Sequence, residues 1–443
     1  MSSRPVASLR RGVVVGSAAM KDVTIYFGHH DAYASETPFG LGAVDARRHT
    51  YIIGQTGSGK TTLIRNIILQ HLEAGHGVAL LDPHGDLADE LLDHFPPSRA
   101  DDLVYLNPAD GEFPIAFNPL AHVSKRERPL VAAGLVSAFK SIWRDSWGPR
   151  LEYILANTIA ALLEAQNTSL LGVNRMLTDE DYRAWVVRQV RDPFVRAFWT
   201  NGFAHYDARF MREAIAPIQN KLGQLLLSPL LRNILGQVQS KLDLRFMMDT
   251  GRVLIANLAK GRLSAEPANL LGAMLAAQFQ HAAMSRANVP EDERRDFDLI
   301  VDEFQNFTSD SLATALAEAR KYRLRLTLAH QYIDQLVPAI RSAIFGNVGT
   351  LVVFRVGHAD ASLLHQEFGR AFAAEQFADL DAHEVFVRTM TDGTPREPFR
   401  GKTLPPIQRR VGRRKKLIHH SRQRFATPRA IVEDKLRRWL GPL

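Results

Sequence analysis

Nine residues, Gly54-Gln55-Thr56-Gly57-Ser58-Gly59-Lys60-Thr61-Thr62, constrain this chain more than any other stretch. They fit G-x-x-x-x-G-K-[ST], a loop whose backbone N–H groups cradle phosphates. The motif works only between a strand and a helix, and the flanks supply both. Tyr51-Ile52-Ile53 is an apolar run of strand type, and Leu63 to Leu72 carries apolar residues at helical spacing. The glycines let successive N–H groups turn inward on an anion, and the helix start adds partial positive charge. In such a loop Lys60 reaches the β- and γ-phosphates and the Thr61 hydroxyl lies on Mg2+. The whole stretch Gly54 to Thr62 is therefore the expected ATP-binding segment.

The rest of the chain alternates in a way that suits a doubly wound, mostly parallel α/β sheet. Strands are expected at Val23–Phe27, Val78–Leu81, Leu103–Leu106, Val253–Ala256, Phe297–Glu303, Leu324–Ala329 and, last, Thr350–Val356. Pro38-Phe39-Gly40-Leu41-Gly42 reads as a glycine-rich approach to the first core strand. Between about residues 124 and 248 the strand signal vanishes and long helical patterns take over, with four of the five tryptophans, Trp143, Trp147, Trp185 and Trp199. Aromatic residues at that density suit core packing. The expected division is a lead-in (1–22), a first part of the ATPase domain (23–123), an all-α insertion (124–248), a second part (249–400) and a basic tail (401–443).

Composition narrows the class. The chain of 443 residues is 46% apolar and 23% charged, as in ordinary globular domains. It has no cysteine, which excludes disulfides and thiolate metal sites and agrees with a reducing cytoplasmic setting. No apolar stretch approaches the ~18–20 residues of a membrane-spanning helix. Arg10-Arg11 followed by Gly12 to Met20 is short for a signal peptide and runs into Lys21 and Asp22, so it is not read as one. The net charge of +8 is concentrated at one end: the last 43 residues hold 13 Lys/Arg against Glu433 and Asp434, leaving the first 400 slightly acidic. Arg409-Arg410 and Arg413-Arg414-Lys415-Lys416 suit an arm that meets a polyanion by salt-dependent contacts. A solvated arm, or a helix over Arg429 to Leu440 that docks on a neighbour, fits the same residues.

Four further residues carry chemistry. Leu299-Ile300-Val301 ends in Asp302-Glu303, where Asp302 can hold Mg2+ and Glu303 can deprotonate the attacking water. An apolar run ending in two acids is common alone, and it gains meaning from the phosphate loop upstream. Gln331 ends the next strand and can contact the γ-phosphate or the water. Arg320, ahead of that strand, can reach a neighbouring subunit's γ-phosphate, although chemistry alone does not choose it over Arg323 or Arg325.

Gly54–Thr62, Asp82-Pro83-His84-Gly85-Asp86, Asn257-Leu258-Ala259-Lys260-Gly261, Asp302-Glu303-Phe304-Gln305 and Ala329-His330-Gln331 occur in that order. Together they resemble the conjugative coupling proteins of the TraG/TraD type, within the HerA/FtsK group of DNA-pumping ATPases. The likeness runs from about Phe39 to Val432 and includes Phe139-Lys140-Ser141-Ile142-Trp143, Phe354-Arg355-Val356-Gly357 and Ser421-Arg422-Gln423-Arg424-Phe425. It implies a RecA-like P-loop NTPase fold with an all-α insertion domain, ATP and Mg2+ at subunit interfaces, a homo-oligomer of six, and DNA moved through a central channel. It also places the trans arginine at Arg320. Coupling proteins of this type begin with membrane-spanning helices, whereas none is read here. That suggests no direct membrane insertion and contact with a relaxase, secretion channel or other effector through another protein. A protein-handling secretion ATPase, or a nucleotide-gated scaffold that recruits a DNA-processing effector, is the alternative.

Overall fold

The apolar runs pair as parallel strands because helices cover both of their faces, which lets every residue in them be apolar. The computed structural model describes residues 24–32, 35–408 and 411–441; the lead-in 1–22 and Arg409-Arg410 lie outside the described residues. The strands are β1 (Ile25–Ala32), β2 (Ser35–Leu41), β3 (Thr50–Ile53), β4 (Gly77–Asp82), β5 (Leu103–Leu106), β6 (Val253–Asn257) and β7 (Phe297–Val301). They continue with β8 (Leu324–His330), β9 (Thr350–Val353), β10 (Glu384–Arg388), a small ribbon of β11 (Met390–Thr391) and β12 (Thr394–Pro395), and β13 (Phe399–Thr403). Eleven of these form one sheet in the order β2-β1-β13-β10-β9-β3-β8-β7-β4-β6-β5. From β9 to β5 the neighbours are parallel, and the other end is antiparallel.

Side chains alternate across the sheet. Ile52, Leu80, Ile255, Ile300 and Val352 point to the face covered by the helices Lys60–Glu73 and Asp86–His94. Tyr51, Ile53, Leu81, Val301 and Leu328 point to the other, covered by Arg128–Ile142, Ala265–Met284 and Asp310–Glu318. Between β5 and β6 the described residues contain helices and no strand. The tryptophans there pack: Trp143 stacks on Phe139 at 5.4 Å, Trp199 meets Phe203 at 4.8 Å, and the Trp147 indole donates to Glu152 at 2.6 Å.

Three features differ from the sequence reading. The glycine-rich approach is part of β2, whose Pro38 and Gly40 are tolerated because it is an edge strand. β9 ends at Val353 and is not the last strand, since the chain returns through β10 and β13. Val385-Phe386-Val387 is too short, and its flanks too charged, to stand out in sequence. Finally, the basic tail is folded onto the body. The helix Arg414–Phe425 covers the exposed edge of β5, where the Tyr105 N–H donates to Ser421 Oγ at 2.9 Å. Arg414 pairs with Asp89 at 2.5 Å and Arg422 with Asp110 at 2.7 Å. The helix Arg429–Leu440 buries Val432 and Leu436 against Leu171, and Arg175 donates to the Trp439 carbonyl at 2.6 Å. Several of the tail's cations thus answer this chain's own acids.

Buried histidines make stability depend on pH. Burial holds His49 and His76 down to about 4 and His330 to about 3. Unfolded imidazoles take protons near pH 6.5 and the folded ones do not, so their contribution is complete above about 6.5 and is lost as pH falls towards 4. Each should cost on the order of 2–3 kcal/mol at pH 4. Asp302, pushed up to about 7, works in the opposite sense. The clean measurement is therefore the urea midpoint of wild type against His76→Gln as pH is lowered. The variant should lose less stability between neutral pH and about 4, and parallel curves would refute the assignment.

Candidate nucleotide site

Strand register gathers the site. Ile53 lies opposite His330 and Val353, Leu81 opposite Val301, and Asp82 opposite Asn257. The carboxyl ends of β3, β8, β7, β4 and β6 therefore form one row, the edge at which open α/β sheets bind ligands. A cavity of about 550 Å³ opens there, lined by Thr56, Gly57, Gly59, Lys60, Thr61 and Thr62 of the loop together with Asp82, Asp302, Glu303 and Gln331.

The loop leaves β3 with the Gly54 N–H donating to the His330 carbonyl at 3.3 Å and the Gln55 N–H to that of Arg355 at 2.8 Å. Ser58 Oγ donates to the Gln55 carbonyl at 2.7 Å and pins the turn. Gly57 and Gly59 have φ of +79° and +118°, which side chains disfavour. Space is limiting as well, because a Cβ on Gly54 would lie 2.5 Å from Phe354 Cβ and one on Gly59 2.7 Å from His383 Nδ1. Lys60 opens the helix Lys60–Glu73, and its Nζ donates to the carbonyls of Gly54 at 2.5 Å and Gln55 at 3.1 Å. Burial lowers its pKa, against the pull of Glu303 and Asp302. Lys60 and the acidic pair thus share one site although some 240 residues separate them.

The acids converge from two neighbouring strand ends, β4 and β7. Asp82 accepts from the N–H groups of His84 and Ala88, both at 2.9 Å, and is fully buried. Asp302 accepts from the Glu303 N–H at 3.1 Å. Burial pushes the Asp302 carboxyl up to about 7, and the charges of Asp82 and Glu303 add to the effect while Lys60 opposes it. A hard divalent cation suits this donor set: oxygen ligands, crowded negative charge and the Thr61 hydroxyl on the facing loop. The residues present fit Mg2+.

Glu303 stands in left-handed backbone at φ +45°, a conformation that costs about 1–3 kcal/mol in a non-glycine residue and collects at functional sites. Its Oε1 accepts from Gln331 Nε2 at 2.8 Å and its Oε2 from Gln305 Nε2 at 2.7 Å. Gln331 is thus brought against Glu303. Arg320 is not: it lies exposed in the turn Ala319–Tyr322 at the opposite end of β8. Arg323 pairs with Asp296 at 3.8 Å, and buried Arg325 pairs with Asp298.

The sequence reading left four residues of this neighbourhood without a role. In sequence Asp82 stands out only as part of a motif. Gln305 carries no signal beyond its place in a motif. Asn257, whose side chain donates to Asp89 at 3.1 Å and Tyr105 at 2.9 Å, was likewise only a motif letter. His383 comes from the turn before β10; its N–H donates to the Ser58 carbonyl at 2.8 Å, and its buried Nδ1 has no partner. A lone histidine beside an unread strand gives no signal in sequence.

The family profile described as "Helicase HerA, central domain" matches residues 25–277. A second, "TraM recognition site of TraD and TraG", matches residues 296–371. No curated protein matches the chain in sequence. Among solved structures, the plasmid coupling protein TrwB in complex with ADP and Mg2+ is similar at 16% identity, covering 87% of this chain and 91% of that one, with a TM-score of 0.60. TrwB with a non-hydrolysable ATP analogue gives 16% identity, coverage of 93% and 97%, and a TM-score of 0.60. VirB4 of Thermoanaerobacter pseudethanolicus is 15% identical over 86% of this chain and 96% of that one, at a TM-score of 0.50. At these identities the shared property is the fold. Among the described residues no helix is long and apolar enough to cross a membrane.

Proposed function

We propose that this chain, which belongs to the HerA helicase central-domain family, hydrolyses ATP and uses the energy to move DNA through a ring of like subunits. The observation that carries the reading is the meeting of Lys60, Thr61, Asp302 and Glu303 around one cavity. The loop N–H groups of Gly57 to Thr61 cradle the phosphates, and Lys60 leaves its resting carbonyls for the β- and γ-oxygens. Mg2+, held by Thr61 and Asp302, supplies charge neutralisation at those oxygens when bound. Glu303 takes the proton of the attacking water, and Gln331, already on its carboxylate, turns to the γ-phosphate or the water when nucleotide is present. His383 lines the cavity wall beside the phosphate loop.

The neighbouring subunit contributes Arg320 to the transferring phosphoryl group. Six subunits with DNA in a central channel is the assembly we propose, with the chain working at the cytoplasmic side. The match of residues 296–371 to a recognition segment of TraD and TraG supports work in conjugative or mobile-element transfer, beside a relaxase, a secretion channel or another effector.

The test is ATP hydrolysis with and without single- and double-stranded DNA, alongside particle images with a non-hydrolysable ATP analogue. Stimulation by DNA and closed rings with an occupied channel are expected. Hydrolysis indifferent to DNA but raised by a partner protein would replace this reading with a protein-handling ATPase.

A further inference from the structure

The Asn257-Leu258-Ala259-Lys260-Gly261 turn has no part in the chemistry described so far, yet it is linked to Glu303 through Asn306. The Lys260 ammonium donates to Asn306 Oδ1. The same Asn306 turns its Nδ2 to the Glu303 carbonyl at 2.7 Å, and its N–H donates to that carbonyl at 3.1 Å. Glu303 is therefore gripped at both ends. Asn306 holds its left-handed backbone, while Gln331 and Gln305 each occupy one carboxylate oxygen.

The other end of this arm faces outward. Lys260 is half-buried, Gly261 and Arg262 are exposed, and a Cβ on Gly261 would meet nothing within 4 Å. Among the described residues no ion pair engages Arg262. Lys260 opens the short helix Lys260–Leu263, and its ammonium, with exposed Arg262 nearby, suits the phosphates of a nucleic-acid strand, which need charge and no sequence readout. An ammonium holds a phosphate oxygen more strongly than a neutral amide oxygen. A strand arriving at the turn would therefore draw Lys260 off Asn306.

We propose that Lys260 and Asn306 are positioning residues that make hydrolysis respond to DNA: a phosphate taken by Lys260 releases Asn306, and with it the constrained Glu303, to meet the attacking water. This rests on Glu303 being the general base. The two residues act through Glu303 and touch no reacting atom. Removing the ammonium should imitate the arrival of DNA.

The experiment measures ATP turnover of the full chain with and without a single-stranded oligonucleotide. Lys260→Ala is expected to raise the DNA-free rate roughly five- to tenfold, with little further stimulation by the oligonucleotide. Asn306→Ala should do the same, the double variant should add nothing to either single one, and Lys260→Arg should restore the response. An unchanged ratio of stimulated to DNA-free rates in both alanine variants overturns the proposal. So does a proportional fall in both rates, which would mark a purely structural role. Wild-type turnover that ignores the oligonucleotide overturns it too, and leaves the ATPase assignment standing. Normal turnover by Glu303→Gln would instead remove the premise.

Discussion

Replacing Glu303 with glutamine should cut ATP turnover by about 10²–10⁴-fold and leave ATP binding largely intact. Glutamine keeps the shape of the side chain but cannot take a proton from water. It also puts an amide N–H2 where Gln331 and Gln305 now present donors, at 2.8 and 2.7 Å, so the two-sided grip on this residue is lost. The groups we propose for the phosphates, the N–H groups of the loop between β3 and its helix and Lys60, are untouched. Lys60→Ala makes the contrast. It removes the ammonium now resting on Gly54 and Gln55, and both binding and turnover should fall. Turnover and equilibrium ATP binding, measured on the same preparations, separate the two effects. A glutamine variant that hydrolyses at the wild-type rate would show that the base lies elsewhere.

Arg320→Ala should be about as damaging, since an arginine delivered to a phosphoryl group contributes roughly 10³–10⁵ in rate. Its side chain cannot serve its own cavity. β8 separates it from Gln331 by seven residues, a rise of about 23 Å. Of the three arginines around that strand, Arg323 and Arg325 are engaged by Asp296 and Asp298, and Arg320 is exposed. A residue so placed acts on a neighbour or not at all. Mixing Arg320→Ala with Glu303→Gln chains distinguishes these cases. Each variant alone should be nearly inactive. Mixed assemblies should recover turnover, because some interfaces then join an intact Glu303 to an intact Arg320. No recovery on mixing, or full activity of Arg320→Ala, would refute the trans role.

The paired acids and the phosphate loop were legible because their chemistry demands local patterns. Glycines must stand where φ is positive, as at Gly57 and Gly59, and an apolar strand must end in the carboxylates it presents. The antiparallel part of the sheet was not legible. β2 carries the proline and glycine of a loop, and β10 shows only three apolar residues in a row. Edge and near-edge strands owe their form to partners far along the chain, such as β13 for β1. The docking of the tail on the body was not legible for a related reason. Charge counts do not reveal that Asp89, Asp101 and Asp110 wait on the body for Arg414, His420 and Arg422.

By itself, then, the sequence determined the phosphate loop, the acids of β7, the parallel core and the general chemistry, since each rests on residues close in the chain or on strands apolar throughout. Only the tertiary structure decided which side chains meet: Asp82 beside Asp302, two glutamines on Glu303, Lys260 tied through Asn306 to the same backbone, and Arg320 set apart at the far end of β8. Those meetings depend on strand order and register, and a parallel sheet sets both through crossovers that bring distant segments side by side.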